Sequence, residues 1–394
     1  MKNIEKFLYH GLENLRQSLD SLSIEKFVIA TIETLMHLER DAYLKKVKED
    51  AGSDKGNGSY PRSFKSFSKH ALVVNVPRTR TGCFKSMAIE FLKYNQEQVN
   101  ELILKLYAKG MTTGDISSLL KDFFGNEVSP ATISNLSEAF HELRQTWENS
   151  KLDAHYKVIF MDAIYITVRR GNSYSKEATH IAYGIREDNK RELLNLSINP
   201  TESTASWQEA LQRIKKRGVS SVDLIVADGL KGLEDEVHQI FPEAKFQKCI
   251  VHKIRNILQK IRPKEKEQVA SELKEVFNNF SELSSRKNGI DKFVSFVKRW
   301  EPKYNHLARQ LDDTLTYYFT YVELPVSTRR IVYSTNSIEN LNKMIRKATK
   351  NKLSFEKPSR LLDYLFVVIK EFEENNWMKY PVTAMNEWQK DTVK

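Results

Sequence analysis

An acidic residue inside an apolar run is the feature that most restricts the fold of this chain. Asp162 lies within the segment Lys157 to Val168, in which almost every neighbour is apolar. Such a segment is typical of a strand that is buried on both faces. Moving an unpaired carboxylate out of water costs several kcal/mol, so we expect a hydrogen bond, a cation or a metal ion to compensate its charge.

Two further acids occupy comparable places. A second apolar segment, 223–227, ends at Asp228, and Glu339 lies near the start of an amphipathic helical segment. Carboxylate oxygens are hard ligands of the kind that Mg²⁺ and Mn²⁺ prefer, and phosphodiester chemistry commonly uses two such ions. We therefore predict that Asp162, Asp228 and Glu339 are the catalytic residues and bind two Mg²⁺ or Mn²⁺ ions.

Each acid also has a simpler interpretation. Asp162 would form an ion pair with an arginine such as Arg186. Asp228 would belong to an Asp-Gly turn, and Glu339 would complete a capping box that begins at Asn336. These alternatives stay open for each acid alone, whereas the three acids taken together favour a metal site.

The composition favours a polyanionic partner. The chain has 62 Lys and Arg against 51 Asp and Glu, a formal net charge of +11, which points to nucleic acid. Its two cysteines, Cys83 and Cys249, are too few for a disulfide framework, and neither a signal peptide nor a long apolar span is evident. These features predict a cytoplasmic protein with no membrane partner. The phosphate-binding motif GxxxxGK[ST] does not occur, so nothing indicates ATP.

Changes in composition and periodicity divide the chain into six segments. We expect an N-terminal helical region over 1–50, a loop and small β unit over 51–95, a helix-turn-helix-like DNA-binding domain over 96–150, the first part of a catalytic core over 151–262, a helical insertion over 263–330 and C-terminal core helices over 331–394.

Three helices are predicted between Glu97 and Trp147, the last of which begins at Ser129-Pro130. Their arrangement resembles a helix-turn-helix, which places one helix in the major groove of DNA. Thr132, Ser134 and Asn135 are then candidate DNA contacts. An ordinary three-helix bundle is the alternative.

Beyond Lys157 the pattern of apolar residues indicates three strands in succession, followed by alternating helices and strands. The resulting order, β-β-β-α-β-α-β, is that of the ribonuclease-H-like fold, an α/β mixed sheet with helices on both faces. The highly charged, strand-free stretch that begins near His252 predicts an all-helical insertion in this core. Within it, Trp300 is expected to pack in the interior, with stacking on a base as the alternative.

The segment that starts at Ser337 predicts an amphipathic helix. Its inward stripe consists of four apolar residues: Ile338, Leu341, Ile345 and Ala348. Lys343, Arg346 and Lys350 share a neighbouring face with Glu339 and are candidate contacts to DNA phosphates. A solvated charged face is the alternative.

Cys249 and His252 form a CxxH element. A structural zinc site usually needs four ligands, and no second Cys/His pair lies nearby, so we do not expect zinc. A packed thiol and a histidine close to the acids are the preferred interpretation. Arg255 and Asn256 follow directly and are candidate DNA contacts.

Four ordered segments resemble a known family. They read FMDAI at 160–164, ADGLKG at 227–232, QKCIVHKIRN at 247–256 and STNSIENLN at 334–342. These segments resemble the motifs of the Mutator-type transposases of bacterial insertion sequences. Segments 60–62, 76–78 and 106–113 are similar to that family's amino-terminal region, so the resemblance extends over nearly the whole chain.

The resemblance implies a DDE recombinase whose three acids map onto Asp162, Asp228 and Glu339. It implies metal-dependent cleavage at the ends of the element, followed by attack of the freed 3′-hydroxyl on another DNA strand. The expected partners are double-stranded terminal inverted repeats, target DNA and at least one further copy of the chain, near the bacterial nucleoid. Cys249 and His252 match the family's CxxH element, with a structural or site-shaping role. Tyr165 departs from the histidine that is often found in the family.

Two other functions stay open at this point. A plain metal-dependent nuclease of the same fold would cut DNA without joining it. A non-catalytic DNA-binding regulator would need neither the acids nor a divalent ion.

Overall fold

The computed structural model describes residues 24–50, 52–64, 72–109, 111, 113–124, 130–333, 336–350, 355 and 357–388. The chain separates into two compact units, Met1–Asn135 and Leu136–Lys394. No helix in the described ranges is long and apolar enough to cross a membrane.

The first unit contains a long helix and a two-stranded sheet. Helix α1 covers Ile24–Glu49, and the antiparallel strands β1 and β2 cover Gly56–Phe64 and Leu72–Thr79. Phe64 and Val74 are buried and pack in one core with residues of α1. The predicted small β unit is therefore confirmed, although β1 begins inside the stretch that was expected to be a loop. The helical prediction for 1–23 lies outside the described residues.

The three predicted helices of the helix-turn-helix region are formed. They are α2, α3 and α4, at Met87–Ala108, Thr113–Phe124 and Pro130–Asn149. The division between the two units falls within α4. The side chains of the three residues predicted to contact DNA lie outside the described part of the chain, and their role stays a prediction: Thr132, Ser134 and Asn135.

The second unit is built on a five-stranded mixed sheet in the order β5-β4-β3-β6-β7, in which β3, β4 and β5 are antiparallel and β6 and β7 run parallel to β3. The predicted order of strands and helices is observed. The elements are β3 (His155–Arg170), β4 (Ser173–Ile185), β5 (Arg191–Asn199), α5 (Thr204–Lys216), β6 (Ser221–Ala227), α6 (Leu233–Ile240) and β7 (Lys245–Lys248).

Helices cover both faces of this sheet. Ile159 and Met161 of β3 pack in one core with Trp207 of α5 and with residues of α6. Because side chains alternate along a strand, Phe160 and Asp162 point to the opposite face. On that face lie α11 (Asn336–Thr349) and α12 (Pro358–Phe372), which both contact β3.

A helical region follows β7 along the chain and precedes α11. It contains α7 (Ile250–Gln259), α8 (Lys266–Asn278), α9 (Arg286–Trp300), α10 (Val326–Val332) and four 3-10 helices, at Pro263–Glu265, Asn305–Gln310, Asp313–Tyr318 and Thr320–Glu323. Stacked and tilted rings build its core, for example Phe277 with Phe319 at a centroid distance of 5.2 Å. Trp300 is buried and its Nε1 donates to Glu272 at 2.9 Å, which confirms the packing role.

The sheet has no room for a side chain at Gly184 of β4. A methyl group there would overlap the Tyr156 ring and lie 2.9 Å from Leu194 Cδ1. Because both neighbours are fully buried, we expect Gly184→Ala to lower the free energy of unfolding by about 1–3 kcal/mol. Denaturant unfolding measures this change. The matched control is Lys176→Ala, at an exposed position of the same strand, which should leave stability within about 0.5 kcal/mol of the wild type. An equal effect of both variants would contradict the close packing.

Candidate active site

Two of the predicted acids lie at the same edge of the sheet. Phe160 of β3 pairs with Val226 of the parallel strand β6. Asp162 and Asp228 each follow two residues later, on strands whose backbones lie about 4.8 Å apart. Residues that are 66 positions apart in the sequence are therefore brought side by side by the strand pairing.

Asp162 is buried, with 9% of its surface exposed. Its Oδ2 accepts a hydrogen bond from Nδ2 of Asn342, on α11, at 2.6 Å. Burial raises the pKa of Asp162 to about 6; the positive charge of His252 opposes this rise and the negative charge of Asp228 adds to it. The alternative of a pair with Arg186 is wrong, because Arg186 Nε lies 2.9 Å from Asp153 Oδ2 instead.

Asp228 has a local and a long-range contact. Its Oδ1 accepts from the backbone N–H of the next residue, Gly229, at 2.6 Å, whereas an Asx turn would join it to the residue two positions further on. The same oxygen lies 3.5 Å from Nδ1 of His252 on α7, an ion-pair distance longer than an ordinary hydrogen bond. Residues 228–230 form no turn, so the turn interpretation is not borne out at Asp228.

The CxxH element connects α7 to this edge. Cys249 is fully buried, and its backbone N–H donates to the carbonyl of Ala227, beside Asp228, at 2.8 Å. A side-chain hydrogen bond with Cys249 raises the pKa of His252 to about 9; burial opposes the rise, and the charges of Asp228 and Asp162 add to it. His252 is therefore positively charged at neutral pH and offsets part of the negative charge of the two acids.

Glu339 lies in the first turn of α11, where its Oε1 accepts from Nη2 of Arg255, on α7, at 2.8 Å. Asn342, which holds Asp162, is three residues further along the same helix, and residues at that spacing are neighbours on a helix surface. Glu339 is thus about one helical turn from the contact with the buried acid. The side chains of Asn336 and Ser337 lie outside the described residues, so the capping box stays a prediction.

The donor chemistry of this edge suits a divalent cation. Asp162 and Asp228 provide neighbouring hard oxygen donors, and the raised pKa of Asp162 shows that its negative charge is not fully compensated. Among the described residues, no three His, Cys, Asp or Glu side chains are grouped closely enough to hold a metal ion. Convergence of all three acids on two ions therefore stays a prediction.

A fourth acid near the site was not predicted from the sequence. Glu202 lies between β5 and α5, and its Oε1 accepts from Nε1 of Trp207 at 3.1 Å. Burial raises the pKa of Glu202, and the negative charge of Asp228 adds to this effect. Glu202 lies in a short polar connection that has no periodic pattern, so the sequence does not single it out. Its contact with Trp207 depends on tertiary packing.

The candidate DNA contacts on α11 and α7 lie at the surface. Lys343, Arg346, Lys350 and Asn256 are all exposed. The amphipathic pattern predicted for α11 is confirmed by the burial of its four inward residues, Ile338, Leu341, Ile345 and Ala348. Contacts of these cations with DNA stay predictions.

Comparison with known proteins places this geometry in context. A sequence model described as "Transposase, Mutator family" matches residues 7–380. The transposase for insertion sequence element IS905 of Lactococcus lactis is 33% identical over 359 residues, which cover 89% of this chain and 90% of the relative. The transposase for IS1201 of Lactobacillus helveticus is 32% identical and covers 76% of this chain and 79% of its own. The transposase for IS256 in transposon Tn4001 of Staphylococcus aureus is 28% identical, with 83% and 84% covered.

The buried charge of Asp162 should destabilise the fold when no cation is added. Its pKa of about 6 is higher than the usual 3.8, so the contribution of Asp162 to wild-type stability should fall as pH rises from about 4 to 6 and stay low above 6. Asp162→Asn removes the charge and should raise the free energy of unfolding by about 1–3 kcal/mol above pH 6, with no difference below pH 4. Thermal unfolding across this pH range in a chelating buffer measures the effect. A destabilised variant at pH 7 would contradict the proposed electrostatics.

Proposed function

Because the chain belongs to the Mutator family of transposases, we propose that it binds the terminal inverted repeats of a bacterial insertion sequence and cleaves and joins DNA with two divalent cations. One observation carries this proposal: Asp162, within β3, and Asp228, directly after the paired parallel strand β6, lie side by side, and Asn342 of α11 donates a hydrogen bond to Asp162. DNA is the substrate that fits the net charge of +11.

The strand order supports a ribonuclease-H-like core. Three antiparallel strands are followed by two strands parallel to the first, and α5 and α6 connect the later strands. In this arrangement the first and fourth strands of the core are neighbours. The pairing of these two strands is therefore enough to bring the acid of one strand beside the acid of the other.

Asp162, Asp228 and Glu339 are proposed to hold Mg²⁺ or Mn²⁺. Two such ions supply activation of the attacking oxygen and stabilisation of the leaving oxygen in phosphodiester chemistry. Neighbouring residues prepare the ligands. Asn342 fixes the rotamer of Asp162 by its hydrogen bond of 2.6 Å.

His252 balances part of the negative charge of Asp228 and is not itself a proposed metal ligand. Water is the proposed nucleophile in cleavage, and a DNA 3′-hydroxyl is the nucleophile in joining. No covalent enzyme intermediate is required, unlike in recombinases that use a tyrosine or serine side chain.

DNA contacts are proposed on two parts of the chain. The helices α2, α3 and α4 would bind the inverted repeats, with Thr132, Ser134 and Asn135 as candidate contacts. Lys343, Arg346 and Lys350 would neutralise phosphates close to the reacting bond. At least two copies of the chain are expected on DNA, since two ends have to be joined.

The regulator alternative is disfavoured by the burial of Asp162. A protein without metal chemistry would gain stability from an uncharged residue at this position, because burial and the charge of Asp228 both disfavour the carboxylate. The nuclease alternative shares the same site and differs only in the absence of joining.

Replacement of the acids should separate cleavage from binding. We expect Asp162→Asn, Asp228→Asn and Glu339→Gln each to reduce Mg²⁺-dependent nicking of DNA that carries the element's own end by at least about 10³-fold, because each removes an ionised oxygen ligand. DNA affinity should change little. The matched control is Asp235→Asn, an exposed acid on α6, which should cut at the wild-type rate. Wild-type nicking by any of the three acid variants would refute its assignment.

Joining distinguishes a transposase from a nuclease. Incubation with Mg²⁺ and a pre-cleaved element end that carries a free 3′-hydroxyl should give products in which this end is covalently attached to a second duplex. A matched end with a 3′-deoxy terminus should give none, because it has no nucleophile. Cleavage of DNA without joined products from the hydroxylated end would favour the nuclease.

A further inference from the structure

A groove between α7 and α8 lies beside the ion pair that holds Glu339. It has a volume of about 580 Å³, and Arg255 forms part of its wall. The guanidinium of Arg255 is the group that binds the Glu339 carboxylate at 2.8 Å. One side chain therefore belongs both to the groove and to the environment of a proposed catalytic acid.

The charges of this groove are of one sign. Arg255, Lys266 and Lys274 line it, and none of the described lining residues is acidic. Lys266 and Lys274 lie eight positions apart on α8, which corresponds to about 12 Å along the helix. One strand of B-DNA carries three or four phosphates over roughly that length.

Most of the groove wall that α7 forms is apolar, apart from Arg255 and Gln259. Val251, Ile254 and Leu258 lie at spacings of three and four on α7 and together form one face of the helix. An apolar wall beside a row of cations suits a nucleic-acid strand, whose sugars and base faces are apolar while its phosphates are charged. This combination favours a single DNA strand over an acidic peptide, which would present little to the apolar wall.

We propose that one strand of the DNA end lies in this groove and that a phosphate draws Arg255 away from Glu339, so that the acid becomes available to the divalent cations only when DNA is bound. The inference rests on the proposed function. Half of the Arg255 side chain and 23% of that of Glu339 are exposed. Exposed ion pairs contribute little stability, so a phosphate can compete with the carboxylate for the guanidinium.

The first test measures Mn²⁺ binding to the full-length protein by electron paramagnetic resonance of free Mn²⁺, with and without a short duplex that carries the element's own end. In the wild type the duplex should tighten Mn²⁺ binding about 5- to 10-fold, a typical coupling between two ligands. In Arg255→Gln, Mn²⁺ binding should be tighter already without the duplex, and the duplex should add less than about 2-fold. Lys260→Gln removes an exposed charge from the end of the same helix, outside the groove, and should behave like the wild type.

Identical Mn²⁺ affinities of the wild type and Arg255→Gln without the duplex would overturn the proposed coupling. Arg255→Lys keeps the charge and removes the planar fork of the guanidinium, so its coupling should be intermediate. Circular dichroism of each variant checks the fold, which we expect to be unchanged because Arg255 is at the surface.

The second test concerns the groove itself. The double variant Lys266→Gln, Lys274→Gln should bind the duplex more weakly and lower the slope of log affinity against log salt concentration by about 2, because two DNA phosphates would no longer be neutralised. Its Mn²⁺ affinity without the duplex should equal that of the wild type. An unchanged salt slope would place the strand elsewhere and overturn the proposal.

Asp162→Asn distinguishes failure of the proposed metal site from failure of the proposed coupling to DNA. If this variant binds Mn²⁺ as the wild type does, the proposed metal site itself fails. If it does not bind Mn²⁺ while Arg255→Gln matches the wild type, only the coupling to DNA fails.

Discussion

The negative charge of two neighbouring acids, one of them buried, is the constraint on which the site of the second unit depends. Asp162 is enclosed by β4, β6 and α11, and Asp228 stands beside it on the paired strand. Like charges on strands about 4.8 Å apart repel each other. Burial weakens the screening that water provides. The hydrogen bond from Asn342 and the positive charge of His252 offset part of the cost. A divalent cation would offset the rest. The cost of burying the Asp162 charge is thus related to the proposed metal chemistry.

Helix α7 is the element that relates the acids to one another. Its first residues are fixed to the sheet and to the chain after α10, through the N–H of Cys249 to Ala227 and the N–H of Ile250 to Tyr333. His252 then faces Asp228, and Arg255, one turn further, faces Glu339. The short helix α7 therefore contacts both Asp228, after β6, and Glu339, on α11. Through this helix, a change in the partner of Arg255 can affect the environment of the proposed metal site.

The sequence predicts the order of the strands and helices and the placement of Asp162 and Asp228 beside each other for a definite physical reason. Buried strands and amphipathic helices leave periodic patterns, so the order of elements around Asp162 and Asp228 and the buried stripe of α11 could be predicted. Glu202 and the pair of Arg255 with Glu339 could not. The pair joins residues 84 positions apart, and Glu202 depends on the packing of Trp207. Contacts of this kind are set by tertiary packing and leave no local pattern.

Divalent cations are proposed to bind among the three acids when DNA is present. The most direct measurement is the anomalous scattering of Mn²⁺ in crystals of the protein bound to a pre-cleaved element end. The account predicts two Mn²⁺ peaks among the carboxylates of Asp162, Asp228 and Glu339, with Arg255 on a DNA phosphate. Peaks at another location, or Glu339 still paired with Arg255 beside an occupied site, would contradict it.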